Sequence, residues 1–480
     1  MALVHLVPVL RRLIPSRPPT ASHASPASLR RRPAQMITVG FLATIAVGTA
    51  LLSLPVSATG RNASFVEALF TATSAACVTG LAVVDTETFW TPFGQAVILA
   101  LIQVGGFGVM TVASLLGLLL SRRLGLSTRL VAAESTHAVS LGDVRRVLVG
   151  VLRFTVVAEL LVAVLLTARF ATTYGEPLGH AVWSGVFHAV SAFNNAGFSI
   201  YSANLMPFVA DPWVCLPICA AVILGGIGFP VLLELWRLGR TRRAPDVRRD
   251  LFRLSRWSVH SRLTVGVTGI LLVVGTVFFV AAEGRNPGTL GPLDGPGKVL
   301  AAFTQSVMPR TAGFNSVDIS QLNNGTWFFT DLLMFVGGGS AGTAGGIKIT
   351  TFAVLAFVIW SELRGDPDVT VFDRRLSRAT QRQALAVALV GVAAVVLPTL
   401  AITLSTSLFT LDQVLYEVVS AFSTTGLSTG ITADMQPWHQ VVLVVLMFLG
   451  RLGPITLGTG LALRERQRLY RRPESAVVIG

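Results

Sequence analysis

Long apolar runs separated by short polar segments follow one another along the chain. The run from Met36 to Leu54 carries no charge, and its 19 residues at helical rise match a hydrocarbon core of about 30 Å. Further runs of this kind predict about eight transmembrane helices arranged in pairs. Their predicted ranges are 36–54 and 93–120, 146–168 and 213–236, 262–282 and 327–360, and 384–406 and 438–463. The pattern therefore predicts an all-α integral membrane protein.

Within each pair lies a shorter apolar stretch that ends in a glycine followed by a bulky apolar residue. These stretches, at 65–76, 181–194, 299–308 and 415–424, are too short to span a membrane. The glycines after them are 117, 116 and 113 residues apart. They belong to the motifs Val78-Thr79-Gly80-Leu81, Asn195-Ala196-Gly197-Phe198, Thr311-Ala312-Gly313-Phe314 and Thr424-Thr425-Gly426-Leu427. The near-constant spacing predicts four repeats of helix, pore loop and helix around one pseudo-fourfold pore.

The motif residues suit a dehydrated cation such as K⁺. Backbone carbonyl oxygens can replace its hydration shell without a fixed charge that would hold it too tightly. Glycine permits the positive φ that turns successive carbonyls toward one axis. The predicted selectivity filter, which is also the only predicted metal site, comprises Val78, Thr79, Gly80, Asn195, Ala196, Gly197, Thr311, Ala312, Gly313, Thr424, Thr425 and Gly426. Thr79 and Thr425 add a hydroxyl ligand or brace their loops, and bracing is the interpretation for Asn195.

The alternative for the motif glycines is that they only ease helix packing, as small residues do in membranes. Four occurrences at matching spacing favour the filter. A second glycine cluster follows each motif within the next apolar run, and in the third repeat it extends from Gly337 to Gly346. This composition predicts that the helix unwinds midway, with a packing kink as the alternative.

Arginine-rich blocks alternate with acidic or neutral loops. The blocks at the N-terminus, 122–129, 145–153, 237–262, 374–382 and 464–472 are predicted to be cytoplasmic, which places both termini on the cytosolic side of the cytoplasmic (plasma) membrane. The net charge of +14 thus indicates topology and not nucleic-acid binding. The predicted organisation is a basic cytosolic segment 1–35, repeats at 36–121, 145–236, 258–360 and 379–463, and a cytosolic tail 464–480.

The phrases FTATSAACVTGLAVVD, residues 70–85, and GGGSAGTAGGIK, residues 337–348, resemble those of the Trk/Ktr/HKT superfamily of K⁺ transporters. The chain is most similar to the bacterial Ktr-type membrane subunit. The resemblance implies K⁺ permeation through a filter with glycine at position 80, where serine marks many sodium-conducting plant members. It also implies a homodimer in membrane lipid, docked on cytosolic nucleotide-binding regulatory subunits of the RCK type.

The same resemblance makes the third-repeat glycine segment an intramembrane gating loop, with Arg451 as an electrostatic barrier beneath the filter. Snorkelling to the cytosolic surface is the alternative for both cations, and it suits Lys348, which follows the loop, better than Arg451. The predicted gate residues are Gly337, Gly338, Gly339, Ser340, Gly342, Thr343, Gly345, Gly346, Lys348 and Arg451.

Without a nucleophile, a metal cluster or paired catalytic carboxylates, the sequence predicts no enzymatic activity and no covalent cofactor. K⁺ is the predicted substrate, with Na⁺ as a candidate activator or coupling ion. A Na⁺- or H⁺-coupled K⁺ symporter on the same fold is one alternative function, and a nonconducting membrane receptor or scaffold is another. Glu159 has no assigned role, and His188 is expected to satisfy a local hydrogen bond.

Overall fold

The computed structural model describes residues 26–121, 141–240 and 257–463, in which fourteen α-helices form. The basic blocks predicted at 122–129 and 464–472, and the tail, lie outside these residues. The helices are α1 (Pro26–Leu52), α2 (Phe65–Ala76), α3 (Pro92–Ser121), α4 (Leu141–Thr173), α5 (Leu178–Phe193), α6 (Pro212–Ile227), α7 (Phe229–Arg240), α8 (Val259–Glu283), α9 (Gly295–Val307), α10 (Asn324–Phe335), α11 (Ile349–Arg364), α12 (Arg378–Ser405), α13 (Leu411–Ser423) and α14 (Pro437–Leu463).

A two-residue hairpin connects α11 to α12. Its strands β1 (Thr370–Val371) and β2 (Arg374–Arg375) are antiparallel, with Thr370 opposite Arg375. A left-handed glycine, Gly365 at φ +72°, ends α11 before the hairpin, as is common at helix C-termini.

Three helices in the described part of the chain are long and apolar enough to cross a membrane: α4 from Val149 onward, α8 and α12. The pair α6 and α7 also qualifies if it is taken as one span bent by 99°. Side chains such as Leu161 on α4 and Val273 on α8 are more than 60 % exposed, which places apolar surface on the outside of the protein. The predicted number of eight spans stays a prediction.

The four short helices α2, α5, α9 and α13 lie inside the protein. Phe70, Phe187 and Tyr416, from three of them, are completely buried. Ser64 and Thr410 begin α2 and α13 with capping boxes, in which the side chain of the third helical residue returns a hydrogen bond to the capping residue. The sequence predicted these short helices to within a few residues at each end.

Several predicted helix bounds differ from the structure by five or more residues, and two differences change the architecture. The first helix begins at Pro26 and not at residue 36, so part of the arginine-rich segment is helical. The second repeat's inner helix, predicted as one run over 213–236, is broken at Gly228, where φ is +99°. The third inner helix ends at Phe335 and resumes at Ile349, which agrees with the predicted interruption.

Candidate functional site

The four motif loops, Val78–Gly80, Asn195–Gly197, Thr311–Gly313 and Thr424–Gly426, have the same backbone form. Each begins with a left-handed residue, at φ between +50° and +66°, and ends with a glycine at φ between +69° and +96°. Left-handed conformations in non-glycine residues are uncommon. Their recurrence directly after all four short helices means that the sequence repeat is also a repeat of backbone geometry.

The motif loops contact one another in a closed order. If a Cβ were placed on a motif glycine, it would collide with a backbone carbonyl oxygen of the neighbouring loop. In every case that carbonyl belongs to the middle residue of the neighbouring loop. The pairs of glycine and carbonyl are Gly80 with Ala196, Gly197 with Ala312, Gly313 with Thr425, and Gly426 with Thr79. The first loop therefore touches the second, the second the third, the third the fourth, and the fourth the first. Only glycine fits at these four positions.

Apolar side chains pack behind the loops, since Leu81, Phe198, Phe314 and Leu427 are at most 2 % exposed. In the first and fourth loops a serine of the short helix also fixes the glycine. The Gly80 amide donates to Ser74 Oγ at 3.1 Å, and the Gly426 amide donates to Ser420 Oγ at 3.0 Å.

The threonine hydroxyls of the loops form no bracing bond. The Oγ1 atoms of Thr79, Thr311, Thr424 and Thr425 are buried and have no hydrogen-bond partner among the described residues. Asn195 does brace its loop, because its Nδ2 donates to the Arg310 carbonyl at 3.4 Å and its Oδ1 accepts from Thr343 Oγ1 at 2.9 Å.

Glycines in three of the long helices allow these helices to approach the ends of the short ones. A Cβ on any of these glycines would collide with a carbonyl oxygen in the last turn of a short helix, the pairs being Gly105 with Ala76, Gly225 with Phe193, and Gly450 with Phe422. The second set of glycine clusters therefore packs against the short helices that carry the motif loops.

Residues 336–348, here called the break segment, join α10 to α11 without helical structure. Their hydrogen bonds reach the broken end of α6: the amides of Gly339 and Thr343 donate to the carbonyls of Gly226 and Gly225 at 2.8 and 3.1 Å. In return, the backbone amide of Phe229, the first residue of α7, donates to the Ala341 carbonyl at 3.3 Å. Each interrupted helix thus satisfies backbone groups that the other leaves unpaired.

Three cationic side chains, two of them buried arginines and one the half-buried Lys348, donate to backbone carbonyls of the break segment. Arg451 on α14 donates to Thr343, and Lys348 donates to Ala344 and Gly345. Arg310, directly before the third motif, donates from Nη2 to Gly337 at 3.4 Å. The snorkelling alternative for Lys348 is wrong, because its ammonium group folds back onto the segment.

Glu159, which had no assigned role, lies at the centre of a buried polar cluster. Asn194 ends α5 and donates from Nδ2 to Glu159 Oε1 at 3.0 Å and to Gln103 Oε1 at 2.9 Å. Gln103 Nε2 donates to Glu159 Oε2 at 3.3 Å. The cluster joins α3 and α4 to the residue before the second motif loop. His188 forms the expected local bonds, to the Ser184 carbonyl and Ser199 Oγ at 2.8 and 2.9 Å.

A cavity of about 340 Å³, here called the glycine cavity, adjoins the motif loops. Its lining includes Gly80, Gly313 and Gly426 together with polar residues of the segments that follow the motifs. Glu417 on α13 fixes the segment after the fourth motif. It accepts hydrogen bonds from Ser428 Oγ at 2.6 Å and from the Thr429 amide at 2.9 Å.

The structure thus brings the four predicted filter loops together, and it places the predicted gate residues Thr343 and Gly345 in contact with two of them. Sequence reasoning missed Arg310, Asn194 and the partners of Glu159. Signals were present for Arg310 and for the partners of Glu159, since Arg310 directly follows an apolar stretch and Glu159 lies within an apolar run, and charged groups in membranes usually have a functional partner.

The chain resembles known transporters over almost its whole length. Residues 14–467 match the family model TrkH, described as cation transport protein. The chain is 40% identical to Ktr system potassium uptake protein B of Bacillus subtilis over 452 residues, 94% of this chain and 98% of the relative. It is 37% identical to the protein of the same name of Vibrio alginolyticus, with 93% and 94% covered. It is 32% identical to potassium/sodium uptake protein NtpJ of Enterococcus hirae, with 94% and 98% covered.

The fold is similar to that of a solved structure. The potassium transporter TrkH from Vibrio parahaemolyticus superposes with a TM-score of 0.67 at 16% identity, covering 94% of this chain and 87% of that one. Sequence and fold agree, and the chain belongs to the TrkH family of cation transport proteins, which are transporters and not enzymes.

Proposed function

We propose that this protein conducts K⁺ across the cytoplasmic membrane through an opening at the centre of the four motif loops. The closed order of loop contacts carries this proposal. Four loops of equal backbone form that touch in sequence surround one axis with pseudo-fourfold symmetry and present four sets of carbonyl oxygens to one ion. Carbonyl oxygens replace the hydration shell of K⁺ while leaving its binding weak enough for release.

The relatives support K⁺ as the transported ion. Two of them are named potassium uptake proteins of a Ktr system, and both align over more than nine-tenths of this chain. Their names further support a role as the membrane subunit of a K⁺ uptake system. On this proposal, the chain forms a homodimer and binds cytosolic nucleotide-binding subunits of the RCK type through its cytoplasmic face.

The break segment is the proposed gate. It contacts the motif loops directly, because Thr343 bonds Asn195 and because Gly345 lies against Thr424, where a Cβ would collide with the hydroxyl oxygen. The segment is held by hydrogen bonds and cationic side chains, not by a continuous helix, so it can move without unwinding a span. Bonds from Arg451 and Lys348 stabilise the closed position.

The proposed topology has eight spans in repeats 36–121, 145–236, 258–360 and 379–463, with both termini cytosolic. The charge distribution supports it, since arginine blocks alternate along the chain with motif segments that carry Asp85, Asp318 and Asp434, and basic loops favour the cytosolic side. The glycine cavity is then the external entrance to the pore.

The test is K⁺ and Na⁺ uptake into proteoliposomes containing the purified chain, with and without an imposed Na⁺ gradient. Selective K⁺ flux that does not depend on the Na⁺ gradient is the expected result. If the Na⁺ gradient drives the K⁺ flux, the protein is a coupled symporter and not a conducting pore. The name of one relative, potassium/sodium uptake protein, supports this alternative. Absence of K⁺ flux, both alone and with a cytosolic regulatory subunit added, would contradict the proposal and favour a nonconducting receptor or scaffold.

A further inference from the structure

The glycine cavity contains one charged side chain among its lining residues. Asp318 contributes that carboxylate, and the lining includes no lysine, arginine or histidine. A volume of about 340 Å³ corresponds to roughly ten water molecules at the bulk volume of about 30 Å³ each. An ion in this cavity can therefore keep its hydration shell next to the carboxylate.

Asp318 is held in place without being neutralised. It begins the 3₁₀ turn Ile319–Gln321, and its Oδ1 accepts from the Ser320 amide at 2.9 Å and from Ser320 Oγ at 2.7 Å. Among the described residues it forms no ion pair, and Oδ2 receives no hydrogen bond. The carboxylate therefore lines the cavity with one oxygen that no hydrogen-bond donor of the described residues occupies.

Two asparagines also line the cavity, Asn204 from the segment after the second motif and Asn315 from the same segment as Asp318. The Oδ1 atom of Asn204, whose backbone is left-handed at φ +51°, is buried and is not accessible from the cavity. Asn315 is fixed by a bond from its Nδ2 to the Val317 carbonyl at 3.1 Å. The waters of a hydrated cation are hydrogen-bond donors, and the side-chain amide oxygen of an asparagine such as Asn315 accepts from them.

We propose that Asp318, together with Asn315, forms a binding site for hydrated cations in the glycine cavity. The site rests on the proposed function, in which it concentrates K⁺ at the entrance of the pore. Hydrated divalent cations such as Mg²⁺ compete there, since a double charge is attracted more strongly and the tightly held water shell of Mg²⁺ prevents entry into a carbonyl filter.

The size of the effect follows from the charge. A unit charge in water at about 4 Å raises the local population of a monovalent cation about fivefold. The factor for a divalent cation is the square of this, about 25-fold, because its interaction energy doubles. Both factors shrink as salt is added, with a Debye length of about 10 Å at 0.1 M.

Asp85 offers a matched control. It is also an exposed aspartate of a post-motif segment, and its Oδ1 accepts from the Thr88 amide at 2.8 Å and from Thr88 Oγ1 at 3.0 Å, but it does not line the cavity. Asparagine at either position keeps the accepting oxygen and removes only the charge.

The experiment compares the wild type, Asp318→Asn and Asp85→Asn in proteoliposomes at low ionic strength. We expect Asp318→Asn to raise the KM for K⁺ about fivefold without changing the maximal rate, and to raise the Mg²⁺ concentration for half-block about 25-fold. Both differences should fade at 0.5 M ionic strength. Asp85→Asn should behave as the wild type.

Mg²⁺ binding to the purified protein in detergent, measured by calorimetry, is a readout that needs no flux. If the wild type conducts K⁺ and Asp318→Asn matches it in KM, in block and in Mg²⁺ binding, the site is refuted while the proposed function stands. An equal effect of Asp85→Asn would also refute it, because diffuse surface charge would then suffice. If no chain conducts K⁺ but Mg²⁺ binding is lost only in Asp318→Asn, the site stands and the proposed function falls.

Discussion

Replacing Gly80 by serine tests the closed contact of the motif loops. Gly80 has φ +96°, and a Cβ there would overlap the Ala196 carbonyl oxygen and lie 3.2 Å from the carbonyl carbon. The substituted residue must therefore either leave its left-handed conformation or displace the Ala196 carbonyl, which is one of the proposed ion ligands. Either movement changes the ring at two of its four loops.

The backbone strain of a non-glycine residue, about 1–3 kcal/mol, destabilises the protein equally with either ion bound and so leaves the selectivity unchanged. The change in selectivity comes from the displaced Ala196 carbonyl, which coordinates K⁺ better than Na⁺ only in its original position. A loss of about 1.4 kcal/mol in the difference between the two ions corresponds to a factor of ten, and we expect the preference for K⁺ over Na⁺ to fall about tenfold or more. The measurement is the ratio of initial K⁺ and Na⁺ uptake rates in proteoliposomes.

Gly60 provides the control, because it also has positive φ, at +79°, but a Cβ there would meet nothing within 4 Å. Gly60→Ser carries similar backbone strain in an open loop, so its K⁺ to Na⁺ ratio should equal that of the wild type. If Gly80→Ser keeps the wild-type ratio as well, the contact between the first and second loops does not determine selectivity.

Three further predictions concern other contacts. Arg451→Gln removes a cationic donor to the break segment and should raise K⁺ flux several-fold, measured in proteoliposomes. Asn194→Asp places a second carboxylate beside Glu159 and should lower the thermal stability, at about 1–3 kcal/mol for each buried group left unsatisfied, whereas adding Glu159→Gln should restore at least half of the loss. The bond from Arg61 lowers the pKa of Glu67 to about 2 from its ordinary value of 4.5, so the unfolding temperature should fall from pH 5 to pH 3, less so in Glu67→Gln.

Each of these has its own control and contradicting result. Arg382→Gln, at an exposed position of α12, should leave the flux unchanged, and an equal rise there would remove the break segment from the explanation. For the polar cluster, purely additive effects in the double variant would mean that the two side chains are not coupled. For Glu67, equal pH slopes in variant and wild type would show that another carboxylate dominates acid destabilisation.

The apolar runs and the motif spacing determined much of the architecture by themselves. The lengths of the runs predicted which helices are long and which are short, since burial in lipid or protein follows directly from local composition. The motif glycines predicted where the short helices end, because few residues other than glycine adopt positive φ at low cost. The interruption after Phe335 was predictable for the same reason, as a run so rich in glycine loses too much conformational entropy to stay helical.

The tertiary structure alone decided how the loops meet. The contact of Gly426 with Thr79 joins residues that are far apart in the chain, and no local pattern encodes it. Nor does the composition around Gly228 distinguish a bent helix from a straight one, because the open carbonyls of Gly225 and Gly226 are satisfied by amides of a segment more than 100 residues later. The free-energy cost of such a break is small when amides of another segment donate to the open carbonyls, and large when the carbonyls are buried without a donor. Only the assembled fold therefore shows that the break forms.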